Sequence, residues 1–166
     1  TENCQGKVTD CGVGTEAWVD RSNERTAETG TYRWMAPEVI RHESYSSLAD
    51  VYSFAVLMWQ LLTREDPFSP KSQIDAAMCV ARDCVRPPFP TGTPVAIQEL
   101  IEACWSDDPA LRLPFDQISA RLKNIESKLT DTEKQWIEAA LGHSVYKQPK
   151  KRVSVSETLT PQLNVD

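Results

Sequence analysis

Between Leu48 and Thr63, apolar residues fall on every face of the helix that the sequence would form: Leu48, Val51, Phe54, Ala55, Leu57, Met58, Trp59, Leu61 and Leu62. A helix that is apolar all round has to be enclosed by other elements. This stretch is therefore the predicted centre of a helical domain, and the chain, at 166 residues, is long enough to build one around it. The most apolar run, Val51 to Leu62, is interrupted by Ser53 and Gln60. It falls well short of the roughly 20 apolar residues that a bilayer-spanning helix needs, so no membrane segment is expected in this chain.

The flanking pattern is also helical. Pro37 to Arg41 suits a short helix with proline in its first turn. Asp66 to Pro70 reads as a turn, Ser72 to Asp83 as a weaker amphipathic helix, and the proline-rich Arg86 to Pro94 as a loop. Thr93 and Pro94 together predict an N-cap and a helix-start proline. Ile97, Leu100, Ile101 and Cys104 form the stripe of the helix that follows, which ends near Trp105. Phe115, Ile118, Leu122 and Ile125 form another. Thr130-Asp131-Thr132-Glu133 fits a capping box opening a last helix to about Leu141, with Gly142 as its stop.

The two ends differ from this middle. Lys7-Val8-Thr9 has strand propensity, and residues 12 to 30 form a long polar loop of the kind that is functional or disordered. From His143 onward periodicity is lost, and Lys147, Lys150, Lys151 and Arg152 cluster in a tail expected to be disordered. A formal charge of −6 argues against nucleic acid as the main partner. Five cysteines without Cys-x-x-Cys spacing and only two histidines argue against zinc and for reduced, intracellular thiols, hence a cytoplasmic location. A membrane anchor upstream of Thr1 stays open.

Five motifs add a family resemblance. Gly30-Thr31-Tyr32-Arg33-Trp34-Met35-Ala36-Pro37-Glu38 resembles the end of the activation segment of eukaryotic protein kinases, with Ala-Pro-Glu as its signature. Asp10-Cys11-Gly12 stands where that family writes Asp-Phe-Gly, at the right interval. Asp50-Val51-Tyr52-Ser53-Phe54 and Asp107-Asp108-Pro109-Ala110-Leu111-Arg112 resemble later landmarks, and Cys104-Trp105 is similar to the tyrosine and tyrosine-kinase-like groups. The resemblance covers about Lys7 to Leu129 and points to the tyrosine-kinase-like group, Raf-like or mixed-lineage-like.

The resemblance implies a mainly α fold: part of a kinase C-terminal lobe with a short N-terminal strand, an activation segment and about six helices. The implied organisation is a partial kinase domain over 1–129 (activation segment 10–38, helical lobe 37–129), an extra helix over 130–142 and a tail over 143–166. Asp10 would hold the Mg²⁺ that bridges the ATP phosphates. Thr31 would contact the catalytic loop and marks serine/threonine rather than tyrosine specificity. Glu38 and Arg112 would form a buried pair. Asp50 would cap the central helix and accept hydrogen bonds from the catalytic loop.

Thr26 and Thr29 lie where an upstream activating kinase would add phosphate. Ser154 follows a basic pair, and Thr160 precedes a proline. Two departures stand out. Cys11 replaces a phenylalanine, which would loosen the metal-binding segment. Leu113-Pro114-Phe115 lacks the usual hydroxyl cap, which weakens the next helix start by about 1 kcal/mol.

The chain contains no Gly-rich loop, ATP-positioning Lys or catalytic Asp and Asn. The expectation is thus a part of a serine/threonine kinase that uses ATP and Mg²⁺ on protein substrates and is inactive in isolation. The alternative is a noncatalytic, kinase-like binding or scaffold module. In either case the central helix would lose its usual upstream neighbour, leaving part of it uncovered and the isolated chain marginally stable.

Overall fold

The computed structural model describes residues 32–142, and every regular element among them is helical. Six α-helices follow in order: α1 Pro37–Ile40, α2 Leu48–Thr63, α3 Gln73–Ala81, α4 Val95–Cys104, α5 Phe115–Lys128 and α6 Asp131–Gly142. Two single 3₁₀ turns, Tyr32–Trp34 and Pro109–Leu111, complete the set. The expected N-terminal strand, the loop over 12–30 and the tail over 143–166 lie outside the described residues. No described helix is long and apolar enough to cross a membrane.

The core gathers on one side of α2. Val51, Tyr52, Ala55, Val56 and Trp59 pack with Ile97, Leu100, Ile101 and Cys104 of α4, Ala76 and Val80 of α3, and Ile118 of α5. Burial pushes the Cys104 thiol up to about 11, which keeps it protonated at neutral pH. Central as it is, α2 is not enclosed on every face, because the described elements collect along its Tyr52–Trp59 side. Leu57 and Leu61 remain 45% and 48% exposed. The α5 stripe is also incomplete. Ile118 is buried, Leu122 and Ile125 are half-buried, and Phe115 is exposed but meets Phe54 edge to face at 5.5 Å.

Helix ends follow local chemistry where that chemistry is present. The Ser72 hydroxyl accepts the Asp75 N–H at 3.1 Å and caps α3. At α6 the Thr130 N–H donates to Glu133 Oε2 (2.8 Å) and the Glu133 N–H donates to Thr130 Oγ1 (3.3 Å), the reciprocal pair of a capping box. Gly142, expected as the stop, is instead the last helical residue. At α5 the N-cap position is Pro114 and no side chain caps it. The Thr93 cap is corrected: Pro94 itself is the N-cap of α4, and the Thr93 hydroxyl turns back to donate to Pro90 O at 2.8 Å.

Helix α6 lies across the end of α2. Trp136 donates its indole N–H to Thr91 O at 3.3 Å. The ring sits over Gly92, where a Cβ would stand 2.8 Å from Trp136 Nε1. Gly92 also has φ +89, so both its backbone angle and its neighbour require the missing side chain. Arg64, the left-handed C-cap of α2, donates to the terminal α6 carbonyls of Ala140 and Leu141.

Candidate functional site

The sequence Ala36-Pro37-Glu38 fixes the start of α1. Ala36 is extended (φ −66, ψ 148), Pro37 takes the first helical position, and Glu38 falls in the first turn with its side chain directed into the core. Its carboxylate meets Arg112, which follows the Pro109–Leu111 turn. The two guanidinium ends pair with the two carboxylate oxygens at 2.6 and 2.7 Å. Arg112 and Glu38 side chains are 0% and 3% exposed, so the pair is removed from water.

Such a charge is tolerable only if its donors are satisfied. Arg112 also donates to Ser106 O (2.8 Å), Leu48 O (2.9 Å) and, more weakly, Asp107 O (3.4 Å). With the two carboxylate bonds, these engage all five guanidinium N–H groups. One side chain therefore ties together α1, the start of α2 and the 106–107 turn.

A second layer surrounds this pair. Arg112 lies against the Tyr52 ring at 5.3 Å and Arg86 at 5.0 Å. Arg86 is held by Trp105 O (3.0 Å) and approaches Asp107 Oδ1 at 3.5 Å, and Arg41 approaches the same oxygen at 3.8 Å. Asp107 Oδ1 accepts no hydrogen bond from the described residues, so these contacts are ion pairs rather than hydrogen bonds. Glu43 closes the set at 2.9 Å from Arg41 Nε, a hydrogen bond that raises the Arg41 pKa. Three carboxylates thus face three guanidiniums.

Tyr52 is fully buried, and its hydroxyl has no partner among the described residues. Burial pushes the phenol up to about 12, against the opposing pull of Arg86 and Arg112.

Ahead of α1, the Tyr32–Trp34 turn rests on α2. Ser53 Oγ donates to Trp34 O at 2.8 Å, and Trp34 Nε1 donates to Gln60 Oε1 at 3.1 Å. The Arg33 guanidinium donates to Pro67 O and Lys71 O. Sequence reading missed these roles, along with those of Arg41, Arg86 and Asp107. One signal was available: Ser53 and Gln60 are polar interruptions of an apolar helix, seven residues apart and therefore on one face.

The structure brings together Glu38 and Arg112 but corrects the capping role expected of Asp50. Asp50 is exposed in the first turn of α2, and no side chain caps this helix. The N-cap is Ser47, while Ser46 Oγ accepts the Leu48 N–H at 3.3 Å. Within α2, Asp50 has a favourable position relative to the helix dipole. Asp10, Cys11, Thr26, Thr29, Thr31, Ser154 and Thr160 lie outside the described residues. Among the described residues no cluster of His, Cys, Asp and Glu could hold a metal ion.

The anchored Ala-Pro-Glu segment over a helical core agrees with the resemblance read from the sequence. The sequence profile of the family "Protein tyrosine and serine/threonine kinase" matches residues 1–122, and the chain belongs to that family. Within it, the similarities fall in the tyrosine-kinase-like group.

Over 128 residues the chain is 44% identical to serine/threonine-protein kinase STY17 of Arabidopsis thaliana, covering 77% of this chain and 22% of that protein. It is 39% identical over 120 residues to serine/threonine/tyrosine-protein kinase HT1 of Arabidopsis thaliana, covering 72% of this chain and 30% of that one. It is 41% identical over 120 residues to human mitogen-activated protein kinase kinase kinase 10, covering 72% and 12%. The chain thus spans less than a third of the length of each of these relatives.

Proposed function

We propose that the whole protein to which this chain belongs transfers the ATP γ-phosphate to serine and threonine residues of protein substrates in cytoplasmic signalling. The observation that carries this reading is the buried Glu38–Arg112 pair, which fixes the end of a segment carrying Thr31 in kinase-like sequence. The names of the relatives support it, and the word "tyrosine" in one of them makes residue specificity the point to test.

In this reading residues 10–38 are the activation segment, residues 37–129 the helical lobe and residues 130–142 an appended helix. Asp10 holds Mg²⁺, Thr31 faces the catalytic loop, and an upstream kinase acts on Thr26 or Thr29. Ser154 and Thr160 are further candidate phosphosites. Mg²⁺ supplies the charge that offsets developing negative charge on the transferred phosphoryl group. The described residues contribute a fixed platform for the segment that receives the peptide. The 166 residues alone are inactive, because they contain no catalytic base and no Gly-rich loop.

The test is to express the full-length protein and map transferred phosphate on mixed protein substrates. Phosphoserine and phosphothreonine are expected, and their loss in Asp10→Asn. Transfer to tyrosine alone, or none from the activated protein, would contradict the proposal.

A further inference from the structure

We infer that Arg33 is a positioning residue that clamps the peptide-receiving segment to the turn after α2 and so sets the affinity for protein substrate. This rests on the kinase reading above.

The Tyr32–Trp34 turn is a single 3₁₀ turn, closed by the Met35 N–H on Tyr32 O at 3.2 Å. One such turn has little stability of its own and takes its shape from what holds it. It is held from two sides. On the α2 side, Ser53 fixes the Trp34 carbonyl and Gln60 fixes the indole, while Gln60 Nε2 reaches Asp66 Oδ1 at 3.3 Å. On the other side, Arg33 sends one guanidinium nitrogen to Pro67 O and the other to Lys71 O, the two ends of the turn leading into α3. A planar fork can bridge two carbonyls in this way, whereas an ammonium is a point donor.

The division of labour follows from burial. Arg112 is inside the core, so its loss threatens the fold. Arg33 is half-buried at the edge, so its loss frees the segment while the core stays intact. Its two terminal nitrogens are engaged by main-chain carbonyls, which are neutral and leave its charge in place. Arg33→Lys therefore separates the two roles: it keeps the charge and loses the fork.

The experiment compares wild type, Arg33→Ala, Arg33→Lys and Gln60→Ala in the full-length protein. KM is measured for a degenerate serine/threonine peptide pool and for ATP, and hydrogen exchange is followed at the Met35 amide. Losing a hydrogen-bonded charged donor is expected to raise peptide KM about tenfold in Arg33→Ala. ATP KM stays constant and Met35 exchanges faster. Arg33→Lys remains impaired, and Gln60→Ala shifts both readouts in the same direction.

Unchanged exchange at Met35 in Arg33→Ala, or unchanged peptide KM, overturns the inference. So does full rescue by Arg33→Lys, which would make Arg33 a direct reader of substrate charge. A parallel rise in ATP KM would show a general loss of fold and would also overturn it. If the wild-type protein transfers no phosphate, the kinase reading fails and the clamp stands or falls on the Met35 exchange rate.

Discussion

Two parts of the molecule use the same kinds of side chain to opposite effect. At the Glu38–Arg112 anchor, residues 74 apart in sequence meet out of water, and every donor of the guanidinium is engaged. At the α6 seam an arginine and a tryptophan also hold the helix, but they do so at the surface. Arg64 and Trp136 bond carbonyls at exposed positions, and the ion pair within α6 itself, Lys134–Asp131, is a 3.9 Å contact with Asp131 98% exposed. Breaking an exposed contact lets water replace the lost partner, so each is worth little. Breaking the buried pair leaves a charge that nothing solvates. The lesson is that the setting of an arginine, not its contact list, decides what its removal costs.

The largest effect that can break this contrast is at the anchor. In the full-length protein, Arg112→Ala is expected to destabilise by about 3–5 kcal/mol in denaturant unfolding, through the uncompensated Glu38 carboxylate. Arg112→Lys recovers only part of this, because an ammonium cannot supply five donors in a plane.

Next is Tyr52, which lies against the anchor. Its phenol is raised to about 12, so the folded state keeps a proton that the unfolded chain releases above pH 10. Stability contributed by this group is present below pH 10 and falls as pH rises toward 12, by roughly 2 kcal/mol. Tyr52→Phe is expected to remove that alkaline loss. At pH 7 it should match wild type within about 1 kcal/mol, because the deleted hydroxyl has no described partner. Paired pH titrations of unfolding check both points.

At the seam, Gly92→Ala places a Cβ against the Trp136 indole at a positive φ, at a cost of roughly 1–2 kcal/mol. The expected signature is a red shift in tryptophan fluorescence as Trp136 is displaced. The smallest effect is Thr130→Ala, about 1 kcal/mol from loss of the cap. Thr130 holds the Glu133 carboxylate below its ordinary range, first through the hydroxyl and then through the amide. The capping contribution in wild type is present above the ordinary carboxylate pKa and is lost as pH falls through the lowered value. In Thr130→Ala that acid dependence should weaken but persist in part, because the residue 130 amide still donates to the Glu133 carboxylate.

Legibility in the sequence followed the range of the interaction. The bounds of α2 and the α6 capping box were readable because periodicity and caps are local. Thr93 misled because a hydroxyl before a proline can cap forward or close the turn behind it, and here it closes onto Pro90. The all-round apolar pattern of α2 correctly marked the centre, but a pattern does not say which faces the described elements cover. Glu38 with Arg112 came from family resemblance, since nothing in a 74-residue separation announces a contact. Arg33 was invisible because its partners are main-chain carbonyls, which every residue has. Asp50 looked like a cap because an Asp near a helix start commonly is one, whereas here it lies inside the first turn and the chain enters α2 at Ser46 and Ser47.

The account turns on Glu38 and Arg112 acting as one buried unit, and a double-mutant cycle on full-length protein tests this most directly. Unfolding free energies are measured for Glu38→Ala, Arg112→Ala and the double variant. The predicted result is that each single substitution costs about 3–5 kcal/mol while the double costs less than the sum by at least about 2 kcal/mol, because the second change removes the stranded charge left by the first. Single costs that simply add would contradict the account.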